Sequence, residues 1–161
     1  MQKCITHVLI KGDEVLITLR NVPAKTEYIH KIFELLSAGG LCIDMVCQSM
    51  PLSELTDLSF TVGSEGVLRL LETVTAIKRE LPAVKTDVNT RNTKLSFSGS
   101  GMQTERGVVS AVLAMLVRLG ADIRLISTSE TVISVLVDAC HQEAIEEELA
   151  KYGWINIEYE D

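Results

Sequence analysis

The sequence predicts an α+β protein built from two copies of one strand-and-helix unit, and three observations lead there. At an offset of 80 residues two long stretches of the 161-residue chain fall into register. Each copy shows strict apolar alternation over short segments, as expected of strands with one buried face. Each also carries two apolar stripes at helical spacing, so every copy alternates between the two periods.

The first strands align as Val15-Leu16-Ile17-Thr18-Leu19 with Leu95-Ser96-Phe97-Ser98-Gly99. Next come helices in which Ile29, Ile32, Phe33 and Leu36 match Val109, Val112, Leu113 and Leu116. Gly40 and Gly120 stop these helices, because a left-handed residue ends a helix and glycine has no Cβ to oppose that conformation. The second strands are Cys42 to Ser49 and Asp122 to Ser129, after which the register slips by five through Met50-Pro51-Leu52-Ser53-Glu54. The third strands match Leu58, Phe60 and Val62 with Ile133, Val135 and Val137. Met45 and Leu125 are expected in the core.

A second helix closes each copy. In copy one Ser64 is the expected N-cap, Leu70, Val74, Ile77 and Leu81 share a face, and Pro82 ends the run. In copy two the run Asp138 to Tyr152 turns Ala144, Ile145, Leu149 and Tyr152 inward and Glu143, Glu146, Glu147 and Glu148 to solvent. Val84 to Val88 supplies a fourth strand to copy one. The unit is therefore a ferredoxin-like βαββαβ arrangement, an antiparallel sheet with its helices on one face. Two further segments alternate, Ile5 to Ile10 and Ile155 to Tyr159, and Lys11-Gly12-Asp13-Glu14 is expected to turn the chain between the former and copy one. With the sheet of copy one already complete, both belong with copy two, the C-terminal one as a peripheral strand or tail.

Composition narrows the function. The chain is 47% hydrophobic and 23% charged, enough for a packed core, while its formal charge of -7 offers no field to hold a phosphate backbone. Nucleic acid is excluded as a partner on that ground. No apolar run approaches the length that crosses a bilayer, and Gln2, Lys3, Thr6 and His7 interrupt the N-terminal region where a signal peptide would be unbroken. No membrane association and a cytoplasmic location are expected. Cys4, Cys42, Cys47 and Cys140 form no CxxC pair and are expected reduced and mostly buried; with His7, His30 and His141 they make no zinc spacing, so no metal is expected. No nucleophile with an adjacent base and no carboxylate pair emerges, which argues against an enzyme.

One loop carries the chemistry. Gly99-Ser100-Gly101-Met102-Gln103-Thr104-Glu105-Arg106-Gly107-Val108 delivers three glycines and opens a helix, where free backbone N–H groups favour an anion such as a carboxylate. The alternative is a tight turn without a ligand. The spacing is not that of a nucleotide-binding P-loop, and no Lys-Ser or Lys-Thr follows.

Several stretches resemble the paired ACT domains of aspartokinase regulatory regions. They are Ile17 to Lys25, Ile43-Asp44-Met45-Val46-Cys47-Gln48-Ser49, Leu58 to Val62, Gly99-Ser100-Gly101-Met102, and Ile126-Ser127-Thr128-Ser129-Glu130 followed by Val132 to Val135. The resemblance implies a first ACT domain at residues 13–89 inserted into a second, discontinuous one at residues 1–12 and 90–161. It also implies a small amino-acid effector, lysine or threonine, held at Gly101, Met102, Thr104, Glu105, Gly107, Val108, Asp122, Ile123, Gln48, Ser129 and Glu130. No cofactor is implied. The protein would work as a homodimer joined through the second-strand regions, acting on an aspartokinase catalytic partner. Nothing resembles the amino-acid kinase domain, so the chain is expected to be a separate regulatory subunit, a stand-alone sensor or a fragment of a longer enzyme, and Met1 followed at once by a strand favours a complete short gene product. The alternative is a structural dimerisation module whose sites have decayed.

The sequence departs from the family at the sites themselves. The Asp-Lys-Pro-Gly turn of the family reads Ala24-Lys25-Thr26-Glu27, which loses a carboxylate and a glycine and points to a degenerate loop in copy one. Arg106 replaces a proline before Gly107, and Asp122 replaces an asparagine, which favours an ammonium group or a basic side chain beside it. For Gln48, Ser129 and Glu130 the alternative is ordinary strand-end or interface hydrogen bonding, and Lys25, Arg20 and Arg124 are expected to pair with surface acids.

Overall fold

A computed structural model describes residues 1–160. The elements in chain order are β1 (His7–Pro23), α1 (Thr26–Ala38), β2 (Val46–Gln48), β3 (Leu55–Gly63), α2 (Val67–Glu80), β4 (Lys85–Ser98), α3 (Val108–Arg118), β5 (Ile123–Thr128), β6 (Val132–Asp138), α4 (Gln142–Ala150) and β7 (Asn156–Glu160). The chain divides into two compact units, Glu14–Thr90 and the combination of Met1–Asp13 with the chain from Arg91 onward. Strands β1 and β4 each contribute to both units.

In the unit Glu14–Thr90 the strands lie in the order β2, β3, β1, β4. β1 pairs antiparallel with β3, setting Val15 opposite Val62, Ile17 opposite Phe60 and Leu19 opposite Leu58, and these six side chains are all buried. Helices α1 and α2 close over them with Ile32, Leu36, Leu70 and Ile77, each fully excluded from solvent. Phe33 adds a ring contact with Phe60, centroids 6.3 Å apart. The edge strand β2 is short and wholly exposed, and Met45 just before it is buried as expected.

In the other unit the order is β7, β1, β4, β6, β5. β4 pairs antiparallel with β6 through Leu95 opposite Val135 and Phe97 opposite Ile133, while β7 lies parallel to β1 with Ile157 opposite Val8. Its core gathers Ile5, Val8, Ile10, Phe97, Val112, Leu116, Ile145 and Leu149. Both units are α+β, with helices packed on a largely antiparallel sheet.

Helix stops follow the sequence. Gly40 and Gly120 take φ of 68° and 65°, and Leu41 N–H and Ala121 N–H reach back to Leu36 and Leu116 carbonyls at 3.1 and 3.0 Å.

Four local expectations are corrected. Residues 11–14 do not turn the chain, because β1 runs unbroken from His7 to Pro23. Asp13 at φ 52° instead shifts the alternation by one residue, so Val8 and Ile10 enter one core while Val15, Ile17 and Leu19 enter the other. Ser64 is not the cap of α2: Ser64–Gly66 forms a 3-10 turn and the helix starts at Val67 without a side-chain cap. Ala144 and Val109 are exposed rather than inward. The cysteines are free as expected, but Cys42, Cys47 and Cys140 are exposed and Cys4 is half-buried, since they sit at strand edges and turns rather than on core positions.

Candidate functional site

The loop singled out by its glycines follows β4. Ser100–Gln103 makes a 3-10 turn in which Met102 N–H donates to the Gly99 carbonyl at 3.1 Å, and the N–H groups of Thr104 and Glu105 both reach Gly101 O at 3.3 Å. The Met102 side chain anchors the loop in the core at 7% exposure. Gly107, left-handed at φ 78°, caps α3, whose first helical bond runs from Ala111 N–H to Gly107 O at 3.0 Å. The N–H groups at the start of α3 therefore have no partner within the helix and form a partly positive terminus.

Opposite this terminus β5 ends and the chain returns into β6 through a turn that Ser129 closes twice. Its N–H donates to Val132 O at 2.8 Å, and its Oγ accepts from Val132 N–H at 3.1 Å. Between loop and turn lies a pocket of about 180 Å³ lined by Met102, Glu105, Gly107, Val108, Val109, Ser129, Glu130 and Ile133. The start of α3 and the acidic residues Glu105 and Glu130 thus line one small cavity. Such a pairing suits a ligand that carries a carboxylate and an ammonium group together.

Six of these lining residues were anticipated from the sequence: Met102, Glu105, Gly107, Val108, Ser129 and Glu130. The rest of the anticipated set lies elsewhere. Gly101 packs against Cys4, and Thr104 Oγ1 donates to the Gly101 carbonyl at 3.3 Å, so both act within the loop. Asp122 is exposed before β5, Ile123 packs on the core, and Gln48 lies in the unit Glu14–Thr90, on β2 opposite Leu58. Val109 and Ile133 were read as core positions. Gln103 was not singled out at all, although its Nε2 reaches Glu130 Oε2 at 3.5 Å, from the loop to the opposing turn; no spacing signal marks it.

At the other end of β6, Arg124 donates to Asn92 and Asp138. The Asp138 carboxyl is lowered to about 2, first by the Cys140 N–H at 2.9 Å and the Cys140 thiol and then by Arg124; the same carboxylate pushes the thiol up, which leaves it a poor nucleophile. In the unit Glu14–Thr90, Arg20 pairs with Asp87 at 2.6 Å and Asp57 at 3.7 Å, and its guanidinium is raised mainly by the Asp87 hydrogen bond. The two arginines thus pair with acids as expected. That unit's own loop leaves a cleft of about 400 Å³ between Pro23, Ala24, Lys25, Tyr28 and Glu54. Among the described residues no His, Cys, Asp and Glu side chains cluster as a metal site. No helix among them is long and apolar enough to cross a membrane.

A family model described as an ACT domain matches residues 95–147, from the last part of β4 into α4 and so across the pocket. The regulatory subunit of aspartate kinase from Thermus thermophilus, in its ligand-free form, superposes with a TM-score of 0.83 at 25% identity, covering 93% of this chain and 99% of that one. Both likenesses support an ACT-domain protein of the aspartokinase regulatory type. The corresponding Thermus flavus subunit gives a TM-score of 0.81 at 25% identity, covering 92% of this chain and 97% of that one. An aspartate kinase of Stutzerimonas stutzeri is 30% identical over 142 residues, which is 88% of this chain and 34% of that enzyme. The chain therefore spans about a third of the length of the curated relatives it matches, and the ACT-domain pocket lies in the part they share.

Proposed function

We propose that this chain senses a small amino acid, lysine or threonine, and passes its binding on as a change in the activity of an aspartate kinase, with no phosphoryl transfer of its own. The observation that carries the reading is the pocket in which the start of α3 faces Ser129 and Glu130. Here the effector carboxylate takes the backbone N–H groups at Gly107 and Val108, and its ammonium group pairs with Glu130, braced by Gln103. The set Gly101, Met102, Thr104, Glu105, Gly107 and Val108 forms or supports one wall. Asp122 and Ile123 at the start of β5, and Gln48 on β2, are assigned to the effector only through the family resemblance.

Each unit is read as one ACT domain, the second discontinuous. The cleft at Lys25 and Tyr28 is read as a decayed counterpart, because the acidic residue and the glycine of the family turn are missing from Ala24-Lys25-Thr26-Glu27. The protein is further read as a cytoplasmic homodimer joined along the second strands. Sensing then requires that the effector favour one arrangement of the dimer, and of the kinase bound to it, over another.

A thermal-shift screen of the full chain against the twenty amino acids tests this reading, since a ligand that binds only the native state raises its melting temperature. A rise with lysine or threonine, abolished by Glu130→Gln, is expected. No rise with any amino acid would leave the structural dimerisation module.

A further inference from the structure

The N-terminal segment reaches the pocket loop from outside the repeat. Ile5, fully buried, and Met1 and Cys4, packed on the same core, seat the segment on its unit. Thr6 N–H donates to Ser98 O at 2.9 Å, which brings the segment alongside the point where β4 becomes the loop. The contact there is close. The Cys4 carbonyl stands where a side chain at Gly99 would go, and a Cβ at Gly101 would lie 3.0 Å from that of Cys4.

From this platform the Gln2 side chain extends to the far end of the loop. Its Nε2 donates to the Arg106 carbonyl at 3.0 Å, and its Oε1 accepts from the Cys4 thiol at 3.6 Å. The two contacts use opposite ends of one amide and so fix its orientation. Arg106 C=O and Gly107 N–H belong to a single trans peptide plane, there being no cis peptide bond among the described residues, so they point in opposite directions. Holding the carbonyl therefore sets the direction of the Gly107 N–H. Gly107, at φ 78°, also has no Cβ of its own to fix this peptide.

We infer that Gln2 is a positioning residue for the pocket: through the Arg106 carbonyl it holds the peptide at Gly107 in the posture that presents the start of α3 to the effector. The inference rests on the pocket assigned above. It makes residues 1–4 a strap across the loop, and it ties the affinity of the pocket to a segment that lines none of it.

The test compares the full-length protein with Gln2→Met, which keeps length and loses the donor, and Gln2→Lys, which keeps a donor at similar reach. Amide hydrogen exchange is followed without ligand, and L-lysine and L-threonine are titrated by calorimetry. In Gln2→Met, exchange across residues 101–109 is expected to rise about fivefold, the effect of one hydrogen bond, with β6 unchanged and Gln2→Lys close to wild type. Equal exchange in all three proteins would overturn the inference, as would a rise spread over the whole unit. Where the wild type binds either amino acid, Gln2→Met is expected to weaken it by a similar factor, and undiminished affinity with a loosened loop would also overturn the positioning role. If the wild type binds neither, the amino-acid-sensing reading fails while the exchange comparison still decides the strap.

Discussion

The carbonyl oxygen of Cys4 lies against Gly99 at a separation that leaves no room for a side chain at position 99. The constraint is spatial rather than conformational, because Gly99 has extended backbone at φ 170° that any residue adopts. A methyl group there must push the N-terminal segment off the end of β4. Gly99→Ala is expected to cost at least about 1–3 kcal/mol, the range for overpacking, since the obstructing atom is backbone and cannot rotate away. Denaturant unfolding checks this, and an unchanged midpoint would contradict the close approach.

The same segment contributes core. Removing residues 1–10 deletes Ile5, Val8 and Ile10, all at 1% exposure or less, and strips β4 and β7 of the strand between them. The truncated chain is expected to lose cooperative unfolding of that unit and the dispersion of its methyl resonances. A truncated protein as stable as the full chain would show that β7 replaces the missing strand.

An acid-labile contribution comes from Glu148, which accepts from Lys151 at 2.8 Å and Arg118 at 3.1 Å. These hydrogen bonds, Lys151 first, lower its carboxyl from 4.5 to about 2. A carboxyl lowered by folding stabilises the native state above its unfolded pKa and loses that contribution as pH falls through the folded one. The stability difference between wild type and Glu148→Gln is therefore expected to be constant above about pH 5 and to vanish between there and about pH 2. Urea unfolding at a series of pH values measures it, and a difference independent of pH would exclude the ion pair as its source.

Much of the fold was legible because periodicity survives in both copies. The stripes of α1 and α3, the glycine stops and the alternating burial of Val15, Ile17 and Leu19 and of Leu58, Phe60 and Val62 all follow from apolar spacing. What escaped depended on backbone conformation or on distant partners. Asp13 looked like part of a turn, yet one residue at φ 52° re-phases β1 without breaking it. Ser64 has the chemistry of a cap, but the 3-10 turn it begins places the helix three residues later. At the pocket, the glycine spacing marked the loop and the Ser-Glu pair marked the opposing turn, whereas Gln103 and Gln2 act by reaching residues 27 and 104 positions away. No local pattern records such contacts.

The homodimer proposed above would use the open edges of the two units. β2 is wholly exposed, with Val46 at 48%, and β5 exposes Ile126 at 38%, so each presents an open edge with an apolar side chain. Val46→Lys with Ile126→Lys is expected to convert a dimer into monomer without lowering the helix content. Light scattering with circular dichroism reads both, and a wild-type monomer at micromolar concentration would end the proposal.

The measurement that bears most directly on amino-acid sensing is a calorimetric titration of the full chain with L-lysine and L-threonine, repeated on Glu130→Gln. Saturable heat for at least one of them in the wild type, lost or weakened at least about tenfold in the variant, is the predicted result, since the variant leaves the ammonium group without its charged partner. The absence of heat with both, or equal affinity in the two proteins, would contradict the assignment of the pocket between α3 and Glu130.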